Sequence, residues 1–390
     1  MNNNKTIKKA PMHYRTVATI IIIIIFFTAI IIFGAYNLLT KKPVVDNNVP
    51  FSTNPLPPGE MPEFWDESGM ENISGYNFTR KKDVYNFLVC GESDQTDTMM
   101  IINYDVANQK INVVQIPRDT YINAGRNFNR INSYFTGEYN RLRGEENRRY
   151  QAMENLTDFI EQNLTLQIDW WVCINTEVFR NIVDIIGGVE VDVPYKIDYE
   201  DPYQDLYIHL EAGLQTLDGA KAEQFVRFRS GYALQDFGRM DAQKIFMTAL
   251  LKKVKTSLNV TTITKIAKEA IPNIETSITA QQMIYFASQV LKVNMEDVTM
   301  LNLHTTSVES ETTGALYEVL HRADTLKIVN TYLNVYAQDI PNAIFDRNRV
   351  FTNTAIKEIH DVYTTVSDSV KSGQTAAEID ENSIYIIPQR

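Results

Sequence analysis

Three short segments of this 390-residue chain gather charged side chains in patterns that suit work on phosphates. In the first, the apolar run Phe87-Leu88-Val89-Cys90-Gly91 leads through Glu92-Ser93-Asp94-Gln95-Thr96 to Asp97-Thr98-Met99. Carboxylates at a strand end are placed to hold Mg²⁺, which takes hard oxygen ligands and accompanies phosphates; Glu92 and Asp97 are the candidates. A solvated acidic turn would read the same way. The second segment, Gln115-Ile116-Pro117-Arg118-Asp119-Thr120, ends another apolar run with an arginine. A local Arg–Asp ion pair would account for it equally well. The third is the richest: Val226-Arg227-Phe228-Arg229, then Asp236-Phe237-Gly238-Arg239-Met240-Asp241-Ala242-Gln243. Arg239 and Gln243 stand one helical turn apart and share a face. They fall in the first turns of a helix that Asp236 or a neighbour would cap, where free N–H groups and the positive dipole end favour an anion. Arg227 and Arg229 can reach the same place, and arginine's planar fork grips phosphate through two bonds. Surface Arg–Asp pairs are the plainer account of the same residues.

The elements that must position these segments are legible from periodicity. Residues 85–91, 98–104 and 110–116 are rich in Val, Ile and aromatics and end in turn residues, as strands do. Residues 141–164 carry a helical period, 168–174 read as a strand, and Asn175 caps a helix to about residue 186. Gly187-Gly188 stops that helix, and 189–193 form a strand. Helices are expected at 219–228, 238–257, near 261–270, at 279–292 and at 325–336, with a last strand at 298–303. Strands alternating with helices imply an α/β class with a mixed sheet and helices on both faces.

Composition narrows the partners. A net charge of −11 excludes a nucleic-acid binder, which needs a basic surface to neutralise phosphates. The two cysteines, Cys90 and Cys173, fall inside apolar runs and read as small buried side chains, with a disulfide as the alternative outside the cytoplasm. No CxxC is present and the five histidines are scattered, so zinc spacing is missing.

Residues 16–40 carry no charge, and a helix of that length reaches roughly 37 Å, enough to cross a bilayer. Lys5, Lys8, Lys9 and Arg15 precede the run, and Lys41 and Lys42 follow it. That bias places the N-terminus in the cytoplasm and the body outside. The expected organisation is a cytoplasmic segment 1–15, a transmembrane anchor 16–40 and a flexible extracytoplasmic linker 41–82 rich in Pro, Asn, Ser and Gly. A body at 83–340 and a C-terminal extension 341–390, flexible over 367–382, complete it.

The spaced order of these motifs resembles the LytR-CpsA-Psr family. The residues that carry the resemblance are Gly91…Asp97-Thr98, Ile116-Pro117-Arg118-Asp119-Thr120, Arg130-Ile131-Asn132, Gly187-Gly188-Val189-Glu190-Val191-Asp192-Val193-Pro194, Leu217-Asp218-Gly219, Arg227-Phe228-Arg229 and Gly238-Arg239…Gln243. It covers about residues 83–255, with a compatible continuation to about 340. The resemblance implies a three-layer α/β/α fold around a mixed central sheet, with a lipid tail in an apolar pocket between sheet and helices. It implies a phosphotransferase that takes a glycopolymer, such as a teichoic acid or capsular polysaccharide, from a polyprenyl-pyrophosphate lipid. The polymer would be attached through a phosphodiester to peptidoglycan, typically at the muramic acid 6-hydroxyl. By motif, Arg118, Arg130, Arg227, Arg229, Arg239 and Gln243 would bind the pyrophosphate, and Asp97 with Glu92 would hold Mg²⁺. Arg118, Asp97 and Arg239 would be the catalytic residues, while Asp97 and Glu92 are also the candidates for the general base. Arg118, Arg227, Arg229 and Arg239 are then expected to converge, and Met240, Ile245, Phe246 and Leu250 to line the lipid pocket. Glu92 stands where the family usually has Asp, Gln95 where an Arg is common, Ile122 at another often basic position and Arg130 where Lys is frequent; the loop from Glu92 to Asp97 is short. The alternative is a non-catalytic binder or sensor of prenyl-pyrophosphate lipids.

Overall fold

The computed structural model describes residues 42–45, 78–92, 96–123, 129–201, 206–228, 236–257, 262, 265–266, 273–310, 314–342, 345, 384–385 and 387–388. The expected anchor 16–40, nearly all of the linker and the tail 367–382 lie outside the described residues. Among the described residues, no helix is long and apolar enough to cross a membrane.

The chain divides into two compact units, one of Met1–Val44 with Thr279–Ser288, the other of Val45–Ile278 with Gln289–Arg390. In the first, Thr279 and Gln282 cap a helix reciprocally: the Thr279 amide donates to Gln282 Oε1 at 2.8 Å, and the Gln282 amide to Thr279 Oγ1 at 3.3 Å.

The second unit is built on a central sheet. Its strands β1 (Val84–Glu92), β2 (Thr96–Asp105) and β3 (Lys110–Ile116) form an antiparallel meander. Strands β4 (Ile122–Asn123), β5 (Trp170–Asn175), β6 (Val189–Val193), β7 (Ile197–Asp201), β8 (Leu206–Leu210), β9 (Gly213–Leu217), β10 (Glu275–Thr276) and β11 (Val298–Asn302) follow along the chain. The sheet order is β10-β5-β1-β2-β3-β11, with β5 parallel to β1 and β11 parallel to β3, so the sheet is mixed. Alternation does the sorting. Leu88, Cys90, Met99, Ile101, Val114, Ile116, Trp171 and Cys173 point to one face. There they meet helices α1 (Ile131–Arg141) and α2 (Arg148–Leu164) through Ile131, Phe135, Met153, Leu156 and Ile160. The helix expected over 141–164 starts only at Arg148, and the helix over 131–141 before it was not expected. Gly144 and Asn147 take positive φ between them, and the polar stretch 142–147 offers no apolar stripe to continue the first.

A second core lies under the antiparallel pair β6–β9 and the hairpin β7–β8. Val189, Val191 and Val193 alternate inward and meet helices α3 (Thr176–Ile185), α4 (Gly219–Arg227) and α5 (Asp236–Ser257) through Val183, Phe225 and Phe246. As expected, Asn175 caps α3, accepting from the Val178 amide at 2.8 Å. A Cβ on Gly219 would lie 2.4 Å from the Arg180 carbonyl oxygen, so only glycine lets α4 approach α3 this closely.

Three asparagines run across the sheet in register, Asn86 opposite Asn103 and Asn103 opposite Asn112. Asn103 Nδ2 donates to Asn86 Oδ1 at 2.8 Å, and Asn112 Nδ2 to Asn103 Oδ1 at 3.4 Å. The outer two also donate to a π-helical turn, Val329–Leu333: Asn86 to the Leu333 carbonyl (2.8 Å) and Asn112 to that of Tyr332 (3.1 Å). That turn ends the segment expected as a helix over 325–336; the α-helical part, α6 (Arg322–Ile328), is short.

Strands β12 (Thr305–Glu309) and β13 (Leu316–His321) form a further hairpin. Within the extension, β14 (Ile384–Tyr385) pairs with β13 and β15 (Ile387–Pro388) runs parallel to β4. Cys90 and Cys173 are in-register neighbours on β1 and β5, both buried and both free thiols. Burial pushes both thiols up, Cys173 to about 11.

Candidate functional site

The three motif segments meet at one end of the central sheet. Strands β1 and β5 finish there as neighbours, with Glu92 opposite Asn175. β2 begins there with Thr96-Asp97-Thr98, and β3 ends there at Ile116 opposite Met99. The turn after β3 is tied by Thr120, whose amide (3.0 Å) and Oγ1 (2.6 Å) both donate to the Pro117 carbonyl.

Gln243 joins the segments. From α5 its Nε2 donates to Thr98 Oγ1 at 3.1 Å and to the Val226 carbonyl at 3.2 Å, while its oxygen accepts from Gln115 Nε2. One buried amide therefore binds the neighbour of Asp97, the neighbour of Arg227 and the strand that leads to Arg118. Gln243 is expected as a pyrophosphate ligand; both its amide protons and its oxygen are engaged by protein.

The arginines lean on carboxylates. Arg118 Nε lies 3.4 Å from Asp119 Oδ2, and Arg130 Nε 3.5 Å from Asp119 Oδ1. Arg130 also donates to the Leu316 carbonyl through Nε (3.1 Å) and Nη2 (2.8 Å) and stands 5.5 Å above the Tyr317 ring. It joins the β12–β13 hairpin to the turn after β3. Arg227 Nη1 donates to Glu223 Oε1 at 2.8 Å. Asp97 is placed on β2 and Arg239 on α5, with their side chains outside what is described, as is Arg229 altogether.

Glu92 is held by a residue that sequence reasoning missed. Both its oxygens take a donor from Arg149 on α2, one through Nη1 at 3.1 Å and the other through Nη2. The Nε of the same guanidinium lies 2.6 Å from Oε2 of Glu275 on β10, an ion pair. The clue needs the observed helix start: with α2 beginning at Arg148, Arg148 and Arg149 occupy its first turn, where the dipole disfavours cations, and no acidic residue accompanies them there.

Of the expected pocket-lining residues, Phe246 is ordinary core, Ile245 is 41% exposed and Leu250 packs against the second core. The side chain of Met240 lies outside the description. The sheet face opposite α1 and α2 is different in kind: Phe87, Val89, Ile102 and Val172 are only half-buried there.

The LytR_cpsA_psr family model matches residues 66–334. The chain belongs to the LytR_cpsA_psr family. It is 27% identical over 220 residues to the polyisoprenyl-teichoic acid–peptidoglycan teichoic acid transferase TagV of Bacillus subtilis (strain 168), which is 55% of this chain and 54% of that protein. It is 27% identical over 214 residues to the like-named TagU of the same strain, 52% of this chain and 63% of that protein. The chain thus spans little more than half the length of these curated relatives. The crystal structure of B. subtilis TagV shares the fold, with a TM-score of 0.54 at 22% identity over 65% of this chain and 96% of that one. So does protein gbs0355 of Streptococcus agalactiae, with a TM-score of 0.53 at 17% identity over 64% of this chain and 86% of that one. The fold is accordingly a mixed α/β fold around a central mixed sheet.

Of the two expected magnesium ligands, Glu92 is the one whose side chain is described, and it is already engaged by protein. Glu92 offers both oxygens to a guanidinium, which supplies the counter-charge that a divalent ion would bring. Among the described residues no group of three or more His, Cys, Asp or Glu is arranged to hold a metal. Glu92 does not fit as a magnesium ligand while Arg149 is in place.

Proposed function

We propose that this chain transfers a glycopolymer from a polyprenyl-pyrophosphate carrier onto a peptidoglycan hydroxyl, releasing polyprenyl phosphate. The observation that carries the reading is the Gln243 junction, which gathers the segments of Asp97, Arg118, Arg227 and Arg239 at one sheet end. The acceptor oxygen would form a bond to the polymer-bearing phosphorus as the bond to the prenyl phosphate breaks, and the hydroxyl proton would leave to a base. The pyrophosphate is itself the activated group, so no nucleotide is needed. Guanidiniums of Arg118 and Arg227, with that of Arg239, would offset the charge growing on the leaving phosphate; such positioned charges are the chief contribution a protein makes to phosphoryl transfer.

The substrate class rests on the names of the relatives, which are transferases of polyisoprenyl-linked teichoic acid to peptidoglycan. A three-layer arrangement is supported by α5: its Gln243 reaches Gln115, and its Thr248 lies 3.9 Å from Met300 on β11, both on the face away from α1 and α2. The half-buried apolar face of Phe87, Val89, Ile102 and Val172 is where a prenyl tail would lie. Residues 16–40 would anchor the body outside the cytoplasmic membrane, and fractionation of intact cells checks this.

The deciding experiment gives the purified full chain a polyprenyl-pyrophosphate-linked glycan and peptidoglycan. Release of polyprenyl phosphate with labelled glycan on the wall supports transfer. The occupation of Glu92 by Arg149 favours the second reading, a lipid-pyrophosphate binder without turnover, and binding with no release would establish that instead.

A further inference from the structure

Glu223 lies on α4 one turn before Arg227, and its side chain is 11% exposed although it stands beside two arginines that reach solvent. Each oxygen takes one guanidinium. Oε1 accepts from Arg227 Nη1 at 2.8 Å, and Oε2 pairs with Arg180 Nε of α3 at 2.8 Å. A helical Glu–Arg pair one turn apart is ordinarily an exposed, weak contact. This one is drawn in and shared with a second helix, and the α3–α4 approach that brings Arg180 near depends on the missing side chain of Gly219. The three groups sum to one surplus positive charge. The Arg227 and Arg180 side chains are 30% and 45% exposed, so the surplus charge sits on residues open to solvent. The group adjoins the sheet-end junction directly, because the Val226 carbonyl next to Arg227 takes Gln243 Nε2.

We propose that Glu223 is a positioning residue that aims Arg227, and that Arg180, which belongs to none of the motifs, is a second guanidinium of the same phosphate-binding site. This deepens the transfer reading and rests on it. The ligand chemistry is a phosphate oxyanion. A carboxylate inside an anion site opposes ground-state binding of the anion. Its presence makes sense if it spends that affinity on holding the arginine forks in the orientation the transferring phosphate needs.

That trade predicts an unusual split. Glu223→Gln removes a negative charge while keeping shape and one hydrogen-bond acceptor. In the full chain it should leave KM for a prenyl-pyrophosphate-linked neutral glycan unchanged or lower it, and cut kcat by about tenfold or more. Arg180→Ala should weaken binding of inorganic pyrophosphate by about tenfold, read by titration calorimetry, with Arg180→Lys recovering part of it. If the loss on Arg180→Ala appears only with a phosphate-bearing glycopolymer, the oxyanion Arg180 holds belongs to the polymer and not to the pyrophosphate, and the site extends along the polymer. A merely structural triad would lower the melting temperature of both variants and leave kcat, KM and pyrophosphate affinity within twofold of the parent, with either donor; that overturns the proposal. If the parent binds pyrophosphate but turns nothing over, the transfer reading fails by itself, and calorimetry on Arg180→Ala still decides the site.

Discussion

Nε2 of Gln243 donates to Oγ1 of Thr98 at 3.1 Å, joining the first residues after Asp97 to the helix that carries Arg239. With Gln115 and Val226 as its other partners, this amide is a fixed joint and not a free ligand. Its place in the motif is explained by what it holds: three segments far apart in sequence keep one spacing only while the joint is made.

Gln243→Ala is expected to strand the buried Gln115 amide, and to cost about 2–3 kcal/mol of stability. Turnover should fall more than stability explains, because Asp97, Arg118 and Arg227 lose their common reference. Urea unfolding and single-turnover kinetics on the same preparation test this. Full activity at a temperature well below the variant's melting point would refute the joint.

Glu92→Gln should loosen the end of β1 by about 1–3 kcal/mol, between the values for a surface pair and a buried one because Arg149 is a third exposed. Arg149→Met should cost a similar amount, and the double variant little more than either. Magnesium titration by calorimetry should give the same signal for the parent and Glu92→Gln. A metal affinity that disappears with Glu92 alone would put the ion where Arg149 is seen.

Stability should fall as pH rises from 5 to 8. Burial pushes the Glu161 carboxyl up from 4.5 to about 8, against the opposing effect of the Ile168 amide that donates to it. The folded state therefore keeps a proton that the unfolded state releases in this window, and stability is lost as pH climbs through it, on the order of 3 kcal/mol in all. Above the folded value the dependence on this group ends. Glu161→Gln should flatten the slope and be the more stable protein at pH 8; denaturant midpoints at pH 5, 6.5 and 8 would reveal an unchanged slope if Glu161 is not its source.

Gly219→Ala should destabilise by about 2–3 kcal/mol, since its Cβ would fall 2.4 Å from a backbone oxygen that cannot swing aside. The neighbouring exposed position Ala220 gives the control: Ala220→Ser should move the melting temperature little.

Strands of both the central sheet and the β6–β9 pair were legible because their side chains alternate cleanly. Residues 110–116 and 189–193 are strands over the span read from sequence, and Asn175 caps its helix as its type suggests. The hairpins β7–β8 and β12–β13 were missed, since charged residues such as Asp198, Glu200, His209 and Glu318 interrupt the apolar pattern on their outer faces. The short end strands β14 and β15 were missed for another reason: two residues carry no period, and only the partners β13 and β4 define them. At the site, the motif segments were legible but their wiring was not. Glu223 meets Arg180 across two helices and Arg149 meets Glu92 from helix to strand, and nothing in local spacing announces either contact.

The row Asn86-Asn103-Asn112 gives the sheet an indexing device. Hydrophobic strands can slide by two residues and still present apolar faces inward, so their burial alone leaves several alignments close in energy. Here a two-residue slip of β2 against β1 would carry the Asn103 amide past its acceptor and leave the Asn86 oxygen buried without a donor. Because the outer asparagines also hold the turn at Tyr332 and Leu333, an error of alignment would be felt at once in a segment far along the chain. The three amides thus count the strands into place, and the same count fixes how far Gly91, Thr98 and Gln115 advance toward the sheet end where the charged groups gather.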